Sequence, residues 1–180
     1  MVYILLAPGF EEAEALVPAD LLRRAGVETA LAALDGTLVP GGHQITVQAD
    51  LTLDQVDLDR AEMLVLPGGG AGVRNLGEDP RVEALVKEGA RRGIPLAAIC
   101  AAPTLLGRWG LLEDREAVCY PGMEGQLTGA RVRPGQKTVR DESLITAQAA
   151  GSAFDFGLKL VAALAGTEKA QEVRNGIHYD

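Results

Sequence analysis

Cys100 is the residue around which chemistry can be built. It ends a short apolar run, Leu96-Ala97-Ala98-Ile99, and Ala101-Ala102-Pro103-Thr104-Leu105-Leu106 follow it. The run reads as a buried parallel strand, with Gly93 and Pro95 punctuating its start. Two alanines and a proline suit the first turn of a helix. Cys100 therefore stands where a strand turns into a helix. The free N–H groups and positive dipole end of that helix would stabilise a thiolate, the nucleophilic form of cysteine. A free cysteine also packs as a small hydrophobe. On this stretch alone, a nucleophile and a structural residue in a tight junction are both open.

Two further groups could serve such a nucleophile. Pro67-Gly68-Gly69-Gly70 lets backbone approach a ligand closely. Its N–H groups, with that of Ala101, could hold an oxyanion beside Cys100; the plain alternative is a glycine turn. A dinucleotide loop fails on spacing, because Gly68, Gly70, Val73 and Gly70, Gly72, Asn75 both break G-x-G-x-x-G. No Walker A lysine follows. Glu11, Glu12 and Glu14 lie in the first turn of a predicted helix, where carboxylates complement the macrodipole. Glu11 and Glu14 also share a face. One of them pointing inward could carry a proton with a raised pKa.

The usual thiol activator, histidine, is scarce. Only His43 and His178 occur, the first after Gly41-Gly42 in a surface loop and the second in the tail. Cys119 precedes Tyr120-Pro121-Gly122, lacks a helix start and reads as structural. Two dispersed histidines and two cysteines show no metal-ligand spacing, so no metal and no cofactor are expected.

These residues must be positioned by elements alternating between strand and helix. Strands are expected over residues 2–7, 27–34, 62–66 and 96–99, with helices over 11–25, 79–92, after Cys100, 152–165 and 167–175. Pro18 predicts a kink or late start in the first helix. Ser152 can cap the 152–165 helix, with Phe154, Leu158, Val161 and Ala165 as its apolar positions. Residues 37–39 and 45–49 form a small excursion, 139–147 a hairpin, and 117–133 an irregular stretch. This order predicts an α/β fold, a mostly parallel sheet with helices on both faces in one domain over 1–180. Sites in such sheets form at the C-terminal ends of strands, where Pro8-Gly9, Pro67 and Cys100 fall.

Composition narrows the function. At 47% hydrophobic and 23% charged the chain is globular. A net charge of −8 and a pI near 4.8 leave no basic field for nucleic acid. No apolar run approaches the ~20 residues a membrane helix needs, and no basic leader precedes the first strand. Two cysteines in a chain of this size point to a reducing cytoplasm.

Gly9-Phe10-Glu11-Glu12-Ala13-Glu14, Leu66-Pro67-Gly68-Gly69 and Ala98-Ile99-Cys100-Ala101-Ala102-Pro103 together resemble the DJ-1/ThiJ/PfpI superfamily. The order and spacing fit across essentially the whole chain, Asp20-Leu21-Leu22-Arg23-Arg24-Ala25-Gly26 included. The resemblance implies a flavodoxin-like three-layer sandwich, related to the class I glutamine amidotransferase domain, and a homodimer. It implies Cys100 as an oxidisable nucleophile at a strained elbow, Glu14 as the proton-shuttling glutamate, and Gly68 and Gly69 as oxyanion glycines. Glu11, Arg24 and His43 fall near pocket-bordering positions, the last two across the dimer interface in some arrangements. Where some members place a histidine beside the cysteine, this chain has Tyr120. Ala101, where the protease branch has histidine, disfavours peptidase activity, and the late His-x-Glu pair of amidotransferases is absent.

The implied function is a cofactor-independent glyoxalase or protein deglycase, a hydro-lyase or hydrolase. It would act on methylglyoxal, glyoxal or their early adducts. The alternative is a redox-sensing stress protein with chaperone-like activity, in which Cys100 is oxidised to sulfinate.

Overall fold

The computed structural model describes residues 1–179. In chain order the strands are β1 (Val2–Leu6), β2 (Thr29–Ala33), β3 (Leu38–Pro40), β4 (Thr46–Gln48), β5 (Leu51–Thr52), β6 (Met63–Leu66), β7 (Leu96–Ile99), β8 (Glu116–Ala117), β9 (Arg131–Val132), β10 (Thr138–Asp141) and β11 (Leu144–Ala147). The helices are α1 (Glu12–Arg24), α2 (Gly70–Glu78), α3 (Pro80–Arg91), α4 (Pro103–Arg108), α5 (Ala153–Ala165) and α6 (Thr167–Gly176). Seven strands form the central sheet in the order β10-β11-β7-β6-β1-β2-β5. Only β10 runs antiparallel to its neighbour, as the edge half of a hairpin with β11.

The central strands are apolar throughout because both sheet faces are covered. Val2, Ile4, Leu6, Met63, Val65, Ala97 and Ile99 join one core with Ala15, Leu22, Phe156 and Leu160 of α1 and α5. Tyr3, Leu5, Leu64, Leu66, Leu96 and Ala98 alternate to the other face, against Leu76, Val86 and Leu105 of α2, α3 and α4. That is the expected three-layer, flavodoxin-like sandwich. β6 lies between β1 and β7. The C-terminal ends bearing Pro8, Pro67 and Cys100 are therefore adjacent, as a shared site requires.

The structure departs from the sequence reading in four places. The glycine-rich stretch is a strand-to-helix junction and not a turn, and it opens a helix, α2, that went unread. Pro18 lies inside α1 without dividing it. Its Cα faces α5 where Gly157 has no side chain: a Cβ there would stand 3.1 Å from that Cα and 2.7 Å from Leu21 Cδ1. On α5 the buried face is Ala153, Phe156, Gly157, Leu160 and Val161, a helical stripe joined by Leu158, whereas Phe154 is 41% exposed. Ser152 precedes α5 but its side chain makes no capping hydrogen bond.

Candidate active site

The end of β7 sets the geometry of the nucleophile. Cys100 has φ 65°, in the left-handed region that residues with a side chain rarely adopt. Its N–H donates to the Ala147 carbonyl at 3.0 Å, and its carbonyl accepts from the Tyr120 N–H at 2.8 Å. Those two bonds tie the strained residue to β11 and to the segment after β8. Strain of about 1–3 kcal/mol persists only where surrounding structure over-determines it, and such residues cluster at functional sites. Thr104 secures the next residue, its Oγ1 donating to the Ala101 carbonyl at 2.7 Å.

Glu14 approaches from α1, three residues past the N-cap Glu11. It is fully buried. Its Oε2 accepts from the Gly68 N–H at 2.9 Å, and its Oε1 has no hydrogen-bond partner among the described residues. Residue 68 must be glycine for this meeting to occur. A Cβ there would collide with Glu14 Oε2, stand 2.5 Å from Cys100 Cβ and lie 3.1 Å from Sγ. Carboxyl and thiol thus face each other across a missing side chain.

Burial pushes the Glu14 carboxyl up to about 7, with the Glu11 charge adding to it and the facing Cys100 thiol and the Gly68 N–H opposing it. Burial first, then the Glu14 carboxylate, pushes the Cys100 thiol up to about 12; the Ala101 and Gly69 N–H groups pull it down. The two groups couple through one proton. While Glu14 is ionised its charge opposes a thiolate. Once Glu14 is protonated, that repulsion is gone and the carboxyl becomes a donor toward sulfur. The N–H groups of the helix start, which the sequence reading invoked, pull the thiol down but are outweighed by burial and by the Glu14 charge.

The oxyanion assignment needs one correction. The Gly68 N–H is committed to Glu14 and not free for a substrate oxygen. Gly69 and Ala101 remain, and their N–H groups both act on Cys100. Gly69 has φ 91°, and a Cβ there would collide with Glu11 N and Phe10 C, so its turn also depends on glycine.

The other predicted residues divide. Glu11 is half-buried beside the site and contributes charge to Glu14. His43 is exposed and engaged elsewhere: Nδ1 lies 2.9 Å from Glu12 Oε2 and 3.6 Å from Glu11 Oε1. Its backbone N–H also donates to Glu12 at 2.7 Å. This clasp fastens the β3–β4 hairpin to α1. Nothing in the sequence signalled it, since 31 positions separate the partners. Glu11, Glu12 and His43 hold potential ligand atoms within 4.8 Å of one another, but Glu12 already spends both oxygens on His43. Tyr120 adjoins Cys100 through its backbone, with its side chain 49% exposed. Arg24 is not brought to the site within one chain; it pairs with Asp20 at 2.7 Å near the far end of α1. Cys119 is buried, and burial pushes its thiol up to about 11, in keeping with a structural role.

The chain's resemblances are extensive. Residues 1–163 match the model of the DJ-1/PfpI family. The chain is 40% identical over 176 residues to Protein dj-1beta of Drosophila melanogaster, covering 97% of this chain and 94% of that one. It is 35% identical over 131 residues to a protein of Pyrococcus abyssi named as a deglycase, covering 73% and 78%. The crystal structure of Drosophila melanogaster DJ-1beta superposes with a TM-score of 0.95 at 38% identity, over 99% of this chain and 97% of that one. A structure of Toxoplasma gondii DJ-1 in an oxidized form superposes with a TM-score of 0.93 at 30% identity, over 99% and 97%. Among the described residues, no helix is long and apolar enough to cross a membrane.

Proposed function

The chain belongs to the DJ-1/PfpI family, and from that premise we propose that it is a cofactor-independent glyoxalase or deglycase acting on methylglyoxal, glyoxal or their early adducts. The observation that carries this reading is the buried Glu14 carboxyl, with an unpartnered oxygen, facing a thiol at a strained strand–helix junction. A buried carboxyl poised near neutrality can both take and return a proton.

The proposed sequence uses only this chain's groups and water. The Cys100 thiolate adds to the aldehyde carbon of methylglyoxal, and the oxyanion accepts from the Gly69 and Ala101 N–H groups. Proton return to that oxygen gives the hemithioacetal. Glu14 removes the proton from the former aldehyde carbon and delivers one to the neighbouring ketone carbon. The aldehyde carbon is oxidised to a thioester as the ketone is reduced to an alcohol, with no external redox partner. Water then cleaves the thioester, releasing the 2-hydroxy acid and restoring Cys100. An early adduct, a hemiaminal or hemithioacetal, first collapses by breaking its C–N or C–S bond, its hydroxyl proton passing to the departing amine or thiol, and the aldehyde so regenerated meets Cys100 by the same attack.

A second reading draws on the scarcity of a base. His43, the one histidine near the site, is held outward by Glu12. A thiol served by a single carboxyl suits a peroxide-responsive protein, in which Cys100 becomes a sulfinate that a protonated Glu14 stabilises.

Methylglyoxal consumption without glutathione separates the two. The native chain is expected to turn over, and Cys100→Ser to lose turnover. If both are inactive, the enzyme reading is wrong. A selective gain of two oxygens on Cys100 after peroxide, read by mass spectrometry, would then support the second.

A further inference from the structure

A pocket of about 310 Å³ opens beside the nucleophile, between α2 and α4. Gly70 and Ala101 line it. Each stands at or next to a residue whose N–H acts on the Cys100 sulfur. Its far walls carry two cations, Arg74 and Arg108. This is unexpected in a chain of net charge −8.

The two arginines differ in how they are held. Arg108 donates to the Gly77 carbonyl and lies 6.0 Å over the Trp109 ring. It is fixed between the two helices. Arg74 makes no side-chain hydrogen bond and no ion pair among the described residues; of the other arginines, only Arg131 shares that state. Arg74 also points the right way. Its Nη1 lies 3.7 Å from the position a Cβ on Gly70 would take. The exposed guanidinium thus folds back along α2 toward Gly70 at the helix start. Glu124, near the pocket rim, is turned to the Gly122 N–H at 2.8 Å.

A guanidinium with all its donors free among the described residues, on a pocket that Ala101 lines directly after the reacting cysteine, is suited to a planar anion held by paired hydrogen bonds. We propose that Arg74, with Arg108 behind it, selects 2-oxoaldehydes bearing a carboxylate on a short tail. The aldehyde meets Cys100 while the tail anion reaches Arg74. This names the substrate class and rests on the glyoxalase reading above. Arg74 is a binding residue here and takes no part in proton transfer. A neutral substrate such as methylglyoxal does not engage it.

The test compares methylglyoxal with 4,5-dioxopentanoate, the same reacting group extended by a two-carbon carboxylate tail. The native chain should show a higher kcat/KM for 4,5-dioxopentanoate. Arg74→Gln should lower that value about tenfold or more, mainly through KM, consistent with loss of a charged hydrogen bond. Methylglyoxal kinetics should stay within about twofold, as expected when a group that does not touch the substrate is removed, and Arg74→Lys should recover part of the loss. Equal kcat/KM for the two aldehydes, or an equal loss for both in Arg74→Gln, overturns the proposal and leaves the glyoxalase reading standing. A second readout needs no turnover. Levulinate, a carboxylate-tailed ketone, should slow iodoacetamide alkylation of Cys100 in the native chain but not in Arg74→Gln. Protection without turnover of either aldehyde would remove the glyoxalase reading and keep the anion site; no protection in the native chain removes the site.

Discussion

Glu14 is the residue where function works against stability. Its folded pKa, about 7, stands above the ordinary carboxyl value of 4.5 because burial disfavours the charge. A raised pKa means the folded state binds the proton more tightly than the unfolded chain does. The stability linked to Glu14 is thus fully present below pH 4.5 and is lost as pH rises toward and through 7. The loss above that window is on the order of 3 kcal/mol, from the size of the shift. Glu14→Gln keeps an acceptor for the Gly68 N–H and removes the titration. It should therefore melt several degrees above the native chain at pH 8 and close to it at pH 4.5, as thermal unfolding at the two values will show. The same variant should lose turnover, because an amide cannot exchange a proton. Its rate of Cys100 alkylation should also follow a single ionisation, without the break near pH 7 that Glu14 imposes on the native profile. An unchanged break would remove Glu14 from the dyad.

Between elements, close approach without a side chain decides what can be assembled. Gly68 admits the Glu14–Cys100 meeting, and Gly157 admits the crossing of α1 and α5 at Pro18 and Leu21. Gly157→Ala would gain helix propensity on α5 but push its methyl into Leu21 and the Pro18 backbone. Overpacking of this kind costs about 1–3 kcal/mol, so the net effect should be a lower midpoint in denaturant with an unchanged slope. A rise in the midpoint would show that α1 yields freely. These contacts also explain which elements sequence reasoning found. Leu96–Ile99 was readable because a buried parallel strand is apolar on both faces and stops at Cys100. α2 was not, because Gly70, Gly72 and Gly77 are weak helix formers; tertiary packing of Val73 and Leu76 holds it. On α5 the expected Leu158 and Val161 are buried, but Ala165 is exposed and Phe154, though apolar, stacks at the surface on Tyr179, 5.2 Å between centroids. The motifs of the resemblance pointed to Cys100 and Glu14, and the structure sets the two face to face across Gly68. The engagement of the Gly68 N–H was not readable, since it arises where α1 meets the end of β6, 54 residues apart in the chain.

The whole molecule raises a question that a single chain does not answer for Arg24. The family resemblance puts this residue near the pocket border. Within one chain, ten residues of α1 separate it from Glu14, which at the helical rise is about 15 Å, and its partner there is Asp20. A part for Arg24 at the site accordingly requires a second copy of the chain. The β3–β4 hairpin, clasped to the same helix by His43 and Glu12, leaves Leu38 68% and Ile45 56% exposed, a large apolar display for a short excursion. A homodimer formed over this side of the molecule would cover that surface and offer Arg24 to the neighbouring site. The expected molar mass in solution is therefore about twice 18.9 kDa, measured by light scattering across a dilution series. If the pairing uses the hairpin, Ile45→Glu should return the mass toward 18.9 kDa while leaving the far-ultraviolet spectrum unchanged. Arg24→Ala should alter Cys100 alkylation only where the dimer persists. A clean monomer from the native chain would defeat the shared pocket and confine the chemistry to Cys100, Glu14 and the N–H groups of Gly69 and Ala101.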